Sequence, residues 1–360
     1  DYCDRFQLSQ KLYGREQEIA TLHTTFEQVS TSSASSVGSL VLIKGYSGVG
    51  KSALVRELYR PMTVKQGHFI TGKYDQGQSP IPYQAFSQAF NQLCQYLLTE
   101  SPEQLAYWRT TILHAAKANG QLLIDIIPDL ELIMGAQPPV AALGGQEAQN
   151  RFQRVFRNFV QSLAQPDHPL VLFIDDLQWA DSASLKLLLT LFENPAGEGR
   201  DHSGLMLIGA YRNNEVDASS HPLTHALAAI AQQGTVPITI ELDSLPLSAV
   251  NSWIADTLDC SICRSGPLAA LVYEKTQGNA FFITEFLKML HADKLLYLAA
   301  VSAEPSLADR SPALIKHKGV ATNTIEQQFQ WQWDIAQIKA QNITDNVVDL
   351  MTKKLGDLPL

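Results

Sequence analysis

The sequence is poor in cysteine and has no long apolar run. Four cysteines in 360 residues are too few for a disulfide scaffold. Cys260 and Cys263 form a CxxC pair, but no second pair or nearby histidine completes a zinc site, so we interpret them as incidental thiols. No apolar run approaches the roughly 18 residues of a membrane-spanning helix, and the first residues, DYCDRFQLSQ, contain no signal-peptide core. These absences predict a cytoplasmic chain.

Positive charge is also scarce. Lys and Arg together number 27 against 36 Asp and Glu, which gives a net charge of -9. Because a nucleic-acid-binding face neutralises phosphates with basic side chains, this balance argues against nucleic acid as a partner. The chain begins with Asp rather than Met and ends in a helix-like pattern without a cap, so we expect it to be a piece of a longer protein.

Short apolar runs alternate with helical patterns over the first two thirds of the chain. The predicted strands lie at 39–45, 68–75, 170–176, 205–212 and 237–242. Strands that are apolar on both faces and alternate with helices predict a parallel sheet covered on both sides, an α/β fold. We predict a core over 1–244 with a helical insertion at about 82–164, a helical lid over 245–298, an irregular insertion over 299–330 and renewed order over 331–360. No strand is expected after Leu245.

The segment GYSGVGKS, from Gly45 to Ser52, matches the phosphate-binding pattern GxxxxGK[ST], or Walker A, between a predicted strand and a predicted helix. Its glycines leave backbone N–H groups free to surround a phosphate. Lys51 is expected to reach the β- and γ-phosphates of ATP, and the Ser52 hydroxyl to bind Mg²⁺. The predicted contacts to ATP or ADP are Gly45, Tyr46, Ser47, Gly48, Val49, Gly50, Lys51, Ser52 and Ala53. The alternative is a glycine-rich turn that only opens a helix.

Two adjacent carboxylates end the predicted strand LVLFIDD, as in a Walker B motif. A parallel strand delivers its carboxyl end to the ligand-binding edge of the sheet, so Asp175 and Asp176 are expected near the phosphates. Because successive strand residues face apart, we assign Asp175 to Mg²⁺ through a bound water and Asp176 to orienting or deprotonating the attacking water. Asp181 is instead a candidate cap for the next helix, and Trp179 is expected to pack beneath that helix.

The predicted strand LMLIGAYR ends with Arg212 at the same edge. A guanidinium in that position senses or stabilises the γ-phosphate. A lone arginine after a strand is more often a surface residue, so this assignment depends on the two motifs above. The predicted catalytic residues are Lys51, Asp175, Asp176 and Arg212, and the predicted metal ligands are Ser52 and Asp175.

Five segments, in this order, resemble the AAA+-related STAND class, the signal-transduction ATPases with numerous domains. They are YGREQEI at 13–19, GYSGVGKS, FIDDLQWAD, GAYRNNE and GNAFF at 278–282. The resemblance is to the ATPase module that bacterial, notably cyanobacterial, proteins carry between a serine/threonine kinase domain and GAF plus histidine-kinase modules. It covers the chain from about Phe6 to the end.

This resemblance implies a P-loop NTPase core with five strands in the order 5-1-4-3-2, a helical lid, and a truncated winged-helix-like segment from about Asn346. Arg212 matches the sensor arginine of the class, Ala280 stands where the class usually has a lid proline, and Asp176 stands where many AAA+ enzymes have the longer Glu. The residues implied at the adenine are Tyr13, Gly14 and Arg15. The implied partners are ATP, flanking kinase and sensor domains of the same polypeptide, and further copies in nucleotide-dependent self-association.

The motifs support several functional hypotheses. The first is a Mg²⁺-dependent, slowly ATP-hydrolysing switch, in which γ-phosphate contacts hold core and lid in one arrangement. The second is a nucleotide-binding scaffold with negligible hydrolysis, whose output is association with a partner. A P-loop kinase acting on a small acceptor is a third hypothesis, but it leaves the WAD segment, the GAYR strand and the lid without a role. An origin-recognition-type DNA-binding ATPase has a similar fold but requires a basic surface.

Overall fold

The computed structural model describes residues 6–31, 38–76, 81–193, 204–216, 220–301 and 328–340. The chain divides into two compact units, of which the first comprises 15–243 and the second combines 1–14 with 244–360. Residues 6–14 therefore group with the second unit, although we predicted them in the core. Most of the predicted irregular insertion and the whole segment from 341 onward lie outside the described residues. The assignment of a lid and a winged-helix-like segment stays a prediction.

The first unit contains a five-stranded parallel sheet in the order β2-β3-β4-β1-β5. The strands are β1 (Ser39–Gly45), β2 (His68–Lys73), β3 (Leu170–Asp175), β4 (Leu205–Tyr211) and β5 (Ile238–Leu242). In the register, Lys73 lies beside Asp175 and Lys44 beside Tyr211, so neighbouring carboxyl ends coincide. This is the predicted strand order read from the other edge, and the predicted α/β P-loop fold is confirmed.

Helices surround the sheet and form the predicted insertion between β2 and β3. The buried face of α8 (Gly145–Leu163) carries Phe152, Phe156 and Phe159. The Phe156 ring meets the Phe86 and Phe90 rings of α4 (Gln84–Leu98) edge-on. One apolar face of α8 is therefore buried against α4. The helices are α1 (Glu16–Val29), α2 (Lys51–Arg56), α3 (Tyr59–Val64), α4 (Gln84–Leu98), α5 (Pro102–Ala116), α6 (Gly120–Ile124), α7 (Leu130–Met134), α8 (Gly145–Leu163), α9 (Ser182–Phe192) and α10 (Pro222–Gln232), with 3-10 turns at Lys117–Asn119 and Leu177–Trp179.

The outer edge of β2 is covered by two glutamines of α4. Gln92 Oε1 accepts a hydrogen bond from the Thr71 backbone N–H at 2.9 Å, and Gln88 Oε1 accepts one from the Lys73 N–H at 2.9 Å. The helix comes this close because β2 has a glycine between those residues: a Cβ on Gly72 would lie 1.9 Å from the Ala85 carbonyl oxygen. Two outward-facing donors of this edge strand are therefore paired within the unit.

The second unit packs helices around a small apolar core and also contains a two-stranded antiparallel sheet. Its elements are α11 (Leu247–Thr257), α12 (Ile262–Thr276), α13 (Ala280–Ala292), β6 (Leu296–Val301), β7 (Gln328–Trp333) and α14 (Ile335–Ala340). Strands β6 and β7 pair antiparallel, so the prediction that no strand follows Leu245 was wrong. The sequence QFQWQW alternates with the period of two that a strand requires, and Arg264 anchors it by donating to the Trp331 carbonyl at 2.6 Å and covering the Trp333 ring. Among the described residues, every helix is too short or too polar to span a bilayer.

Candidate functional site

The glycine-rich loop joins β1 to α2 in a conformation that other residues rarely adopt. Gly48 and Gly50 have φ values of 78° and 104°, in the left-handed region that glycine enters without strain. At Gly45 a Cβ would lie 2.5 Å from the Leu242 carbonyl oxygen of β5. In the same loop Val49 is buried, whereas Tyr46 is 58% exposed. Three glycines are thus needed to fold the loop that precedes Lys51.

Lys51 begins α2 and folds its side chain back under this loop. Its Nζ donates to the carbonyl oxygens of Gly45 at 2.8 Å and Tyr46 at 2.9 Å, and the residue is 8% exposed. Burial lowers the pKa of Lys51, while the nearby charges of Asp175 and Asp176 act in the opposite direction. The ammonium is therefore poorly solvated where it lies, and a phosphate at the loop would stabilise its charged form.

Ser52 connects the glycine-rich loop to the end of β3. Its Oγ donates to Asp175 Oδ2 at 2.8 Å, while Asp175 Oδ1 accepts the backbone N–H of Asp176 at 2.9 Å. Hydroxyl and carboxylate oxygens are the hard ligands that Mg²⁺ prefers. The described residues contain no cluster of three or more His, Cys, Asp or Glu side chains that would hold a metal by itself. The pair therefore fits Mg²⁺ that takes its remaining ligands from phosphate and water, as P-loop sites require.

Asp176 lies outside the strand, contrary to our prediction. Strand β3 ends at Asp175, and Asp176 has φ 55° and ψ 44°, a left-handed conformation that Asp tolerates better than most residues. The two carboxylates still point to different partners, as expected, but the turn separates them rather than the strand pleat. Asp176 is 5% exposed, and its Oδ1 lies 2.8 Å from Gln178 Nε2 and 3.3 Å from Arg212 Nε.

Arg212 follows β4 and is held on three sides. Besides Asp176, its Nη1 lies 2.8 Å from Glu215 Oε1, and its guanidinium carbon lies 4.8 Å from the centre of the Trp179 ring. Trp179 is partly buried against the core and supports the arginine, while its packing beneath α9 stays a prediction. The structure thus brings Asp176 and Arg212, two of the predicted catalytic residues, into one ion pair.

Asp181 caps α9, which confirms the prediction for this residue. Its Oδ1 accepts the Ser184 backbone N–H at 2.9 Å, and its Oδ2 accepts the Tyr83 N–H at 3.3 Å. Tyr83 lies just before α4, so one carboxylate joins the starts of two helices. Asp181 therefore has a structural role next to the site.

The residues predicted at the adenine fall in both units. In the second unit, the Tyr13 hydroxyl donates to Asp256 Oδ2 at 2.8 Å and the ring stacks on Trp253, with 6.2 Å between ring centres. Gly14 has a φ of 62°. Arg15 belongs to the first unit, where its guanidinium donates to the Asp243 carbonyl. The adenine-binding role of Tyr13, Gly14 and Arg15 stays a prediction.

The segment GNAFF builds a helix start in the second unit. Gly278 has a φ of 73°, and a Cβ there would lie 2.1 Å from the Leu245 carbonyl oxygen. Asn279 caps α13 by accepting the backbone N–H groups of Phe281 at 3.1 Å and Phe282 at 3.3 Å. The first two residues of GNAFF thus have local structural roles: Gly278 allows the close approach to Leu245, and Asn279 caps the helix.

Sequence reasoning missed three side chains that contact the predicted catalytic residues. Gln178 bonds to Asp176, Lys73 Nζ lies 3.4 Å from Asp176 Oδ2, and Glu215 pairs with Arg212. The one available signal was the place of each residue near the carboxyl end of a predicted strand: Lys73 lies in the predicted strand 68–75, and Gln178 and Glu215 follow the predicted strands 170–176 and 205–212 within three residues. Polar residues are common in such places, so this signal does not select them.

The fold and the site together define a class of protein. A parallel sheet in this order, with a glycine-rich loop and a buried lysine after β1 and a carboxylate at the end of β3, is a nucleotide-binding P-loop fold. The model of the AAA ATPase domain family matches residues 11–208, more than half of the chain. The protein belongs to this family.

Solved structures and curated relatives extend this comparison. AMPPCP-bound DnaA from Aquifex aeolicus aligns with 79% of this chain and 65% of its own at 14% identity and a TM-score of 0.39, and Cdc6p from Pyrobaculum aerophilum with 80% and 64% at 12% identity and 0.46. Hybrid signal transduction histidine kinase G of Dictyostelium discoideum is 27% identical over 416 aligned residues, which cover 99% of this chain and 11% of the relative. Histidine protein kinase 1 of Candida albicans is 22% identical over 192 residues, or 49% of this chain and 8% of the relative. The chain spans about a tenth of the length of these kinases.

Proposed function

We propose that the chain is an ATP-binding, Mg²⁺-dependent and slowly ATP-hydrolysing switch module of a larger signal-transduction kinase. The observation that carries this proposal is the 2.8 Å hydrogen bond between Ser52 Oγ and Asp175 Oδ2, because it joins a Mg²⁺ ligand of the phosphate loop to one at the end of β3. Similarity to two histidine kinases supports the signalling context, and the five STAND-like segments support the switch.

In the proposed reaction, the backbone of the loop binds the β- and γ-phosphates, and Lys51 exchanges its two carbonyl partners for phosphate oxygens. Ser52 and Asp175 would hold Mg²⁺, which would neutralise negative charge on the phosphates when bound. A water attacks the γ-phosphorus, the bond from this phosphorus to the β–γ bridging oxygen breaks, and Asp176 accepts the proton of the water. The products are ADP and inorganic phosphate.

Slow turnover is consistent with the pairing of Asp176. Asp176 Oδ1 already accepts a hydrogen bond from Gln178 Nε2 and pairs with Arg212 Nε. Arg212 must therefore leave this carboxylate before it can contact a γ-phosphate. The same observation favours the alternative function, a nucleotide-binding scaffold in which hydrolysis is negligible. Tight retention of nucleotide with turnover at background would support the scaffold.

The test is release of phosphate from ATP and Mg²⁺ by the purified 360-residue chain. We expect Lys51→Ala to lose nucleotide binding and Asp176→Asn to lose turnover by roughly 100-fold, the order of a positioned general base. Lys65→Ala is the matched lysine control, because Lys65 pairs on the surface with Glu27. Asp167→Asn is the matched acid control, because Asp167 is exposed before β3, at the far end of that strand from Asp175. Equal rates in all five proteins would refute hydrolysis.

We further propose that kinase and sensor domains flank this module in one polypeptide and that ATP promotes its self-association. The kinase relatives extend far beyond the aligned region, which supports the first point. The residues encoded on either side of the chain test it directly. Light scattering with and without ATP tests the second, and a mass that ATP does not change would contradict it.

A further inference from the structure

Gln178 joins the ends of two strands through one buried side-chain amide. Its Nε2 donates to Asp176 Oδ1 at 2.8 Å, and its Oε1 accepts the Arg212 backbone N–H at 3.2 Å. The residue is 5% exposed, so both ends of the amide are paired away from bulk water. One side chain thus contacts both the predicted base and the backbone of the predicted sensor.

The local backbone explains why this amide turns back toward the carboxylate. Asp176 has a left-handed backbone conformation and stands at the start of the 3-10 turn Leu177–Trp179, so Gln178 lies in the turn two residues after the carboxylate. Leu177 seats this turn on β4 in a space that Gly209 leaves open, since a Cβ on Gly209 would lie 2.3 Å from Leu177 Cδ1. The amide position is therefore set by packing on β4.

The two oxygens of the Asp176 carboxylate have different partners. Oδ1 receives both Gln178 Nε2 and Arg212 Nε, at 2.8 and 3.3 Å. Oδ2 faces Lys73 Nζ at 3.4 Å, and the Lys73 side chain is 54% exposed. The Gln178 donor on Oδ1 is buried, whereas the side chain that faces Oδ2 is more than half exposed, so we infer that Oδ2 is the oxygen on the solvent side.

We propose that Gln178 is a positioning residue for ATP hydrolysis: it fixes the rotation of the Asp176 carboxylate so that Oδ2 receives the attacking water. When Arg212 moves to the γ-phosphate, Gln178 remains on Oδ1 and keeps the carboxylate from turning. This inference rests on the proposed hydrolytic function and adds a residue to it.

A purely structural role for Gln178 predicts different behaviour. If the amide served only to tie the turn to β4, the acceptor for the Arg212 N–H would be the part that matters. Gln178→Glu keeps this acceptor but replaces the donor to Asp176 with a second carboxylate. Gln178→Met keeps the length of the side chain and loses both bonds. A positioning role predicts that both variants lose turnover, whereas a structural tie predicts that Glu is tolerated.

The experiment measures kcat and ATP affinity for the purified wild-type chain, Gln178→Met, Gln178→Glu, Lys51→Ala and Gln92→Met. Gln92→Met is the matched control, because it removes an amide that accepts a backbone N–H on β2. We expect both Gln178 variants to lose kcat by about tenfold or more, part of the roughly 10²–10⁴-fold of a positioned base, with ATP affinity changed less than about threefold. Trp179 emission, obtained by subtracting the Trp179→Phe signal, should change with Gln178 and not with Gln92, because Arg212 covers this ring.

The outcomes separate this inference from the function on which it rests. A wild-type rate no higher than that of Lys51→Ala overturns hydrolysis and the inference together. A measurable wild-type rate that Gln178→Met or Gln178→Glu leaves intact overturns the inference alone. An equal loss of kcat and ATP affinity, or unchanged Trp179 emission in both variants, also overturns it. Loss of kcat with affinity kept and emission changed supports it.

Discussion

His68, at the start of β2, is expected to make the first unit sensitive to mild acid. Its ring meets the edge of Trp108 at 5.8 Å between ring centres, and His168 lies on the same indole at 5.9 Å. Burial, and then the nearby charge of His168, lower the pKa of His68 from 6.5 to about 4. Below about pH 6.5 the unfolded chain therefore binds a proton at this position that the folded chain refuses, so stability falls as pH decreases toward 4.

The size of this effect follows from the two pKa values. With 6.5 in the unfolded chain and about 4 in the fold, linkage gives a loss of about 2 kcal/mol between about pH 7 and pH 5. At an m value of about 2 kcal/mol per molar urea, the unfolding midpoint decreases by about 1 M. His68→Gln removes the titrating group and should lose this part of the pH dependence.

Urea unfolding followed by tryptophan fluorescence at the two pH values measures the difference. His114→Gln is the matched control, because His114 is exposed on α5 and should leave the wild-type dependence unchanged. Other carboxylates and histidines also titrate between these pH values. They are the same in wild type and in His68→Gln, so their contributions to the change in unfolding free energy cancel when the two proteins are compared. If wild type and His68→Gln lose the same stability between the two pH values, the argument from burial is refuted.

Other residues give predictions of defined sign. Ser52→Ala removes a predicted Mg²⁺ ligand and should raise the Mg²⁺ concentration for half-maximal turnover by roughly tenfold or more, since second-shell partners alone are worth that much; an unchanged Mg²⁺ titration contradicts the assignment. Asp181→Ala loses a helix cap and should lower the free energy of unfolding by about 1 kcal/mol, with Asp181→Asn retaining most of it in the same urea titration. Gly278→Ala forces a Cβ to 2.1 Å from the Leu245 carbonyl at a positive φ and should destabilise the second unit by about 2 kcal/mol in thermal unfolding. A thermal midpoint for Gly278→Ala equal to that of the wild-type chain would contradict this reasoning.

The glycine-rich loop and the carboxylate at the end of β3 were predictable because the chemistry of a phosphate site restricts residue type and spacing. A glycine-rich loop with Lys51 and Ser52 after a strand, and Asp175 at the end of another, leave few other interpretations. Strand order was a different matter, since apolar runs alone predict a parallel sheet but not which strands are neighbours. It came from the resemblance to a known class, and the structure agrees.

The parts that were missed depend on turns and on packing between distant segments. Two adjacent aspartates in a sequence do not indicate that the second has a left-handed backbone. Without that conformation, the sequence cannot predict that Gln178 lies next to the Asp176 carboxylate. The packing of the turn that contains Gln178 also depends on Gly209 of β4, because Leu177 fills the space that this glycine leaves. The β6–β7 pair was missed for a related reason: its two strands are separated by 26 residues, so no local turn signal connects them.

The glutamines beside β2 have a consequence for how the protein meets other chains. Four residues of helix rise about 6 Å and two residues of strand rise about 6.6 Å. The distance between Gln88 and Gln92 along α4 therefore nearly equals the distance between the Lys73 and Thr71 donors along β2. Along this stretch the two glutamines of α4 accept the hydrogen bonds that a neighbouring strand would otherwise accept. An incoming strand would find the Thr71 and Lys73 donors already occupied, so pairing of another chain along this edge of the sheet is blocked at these two residues.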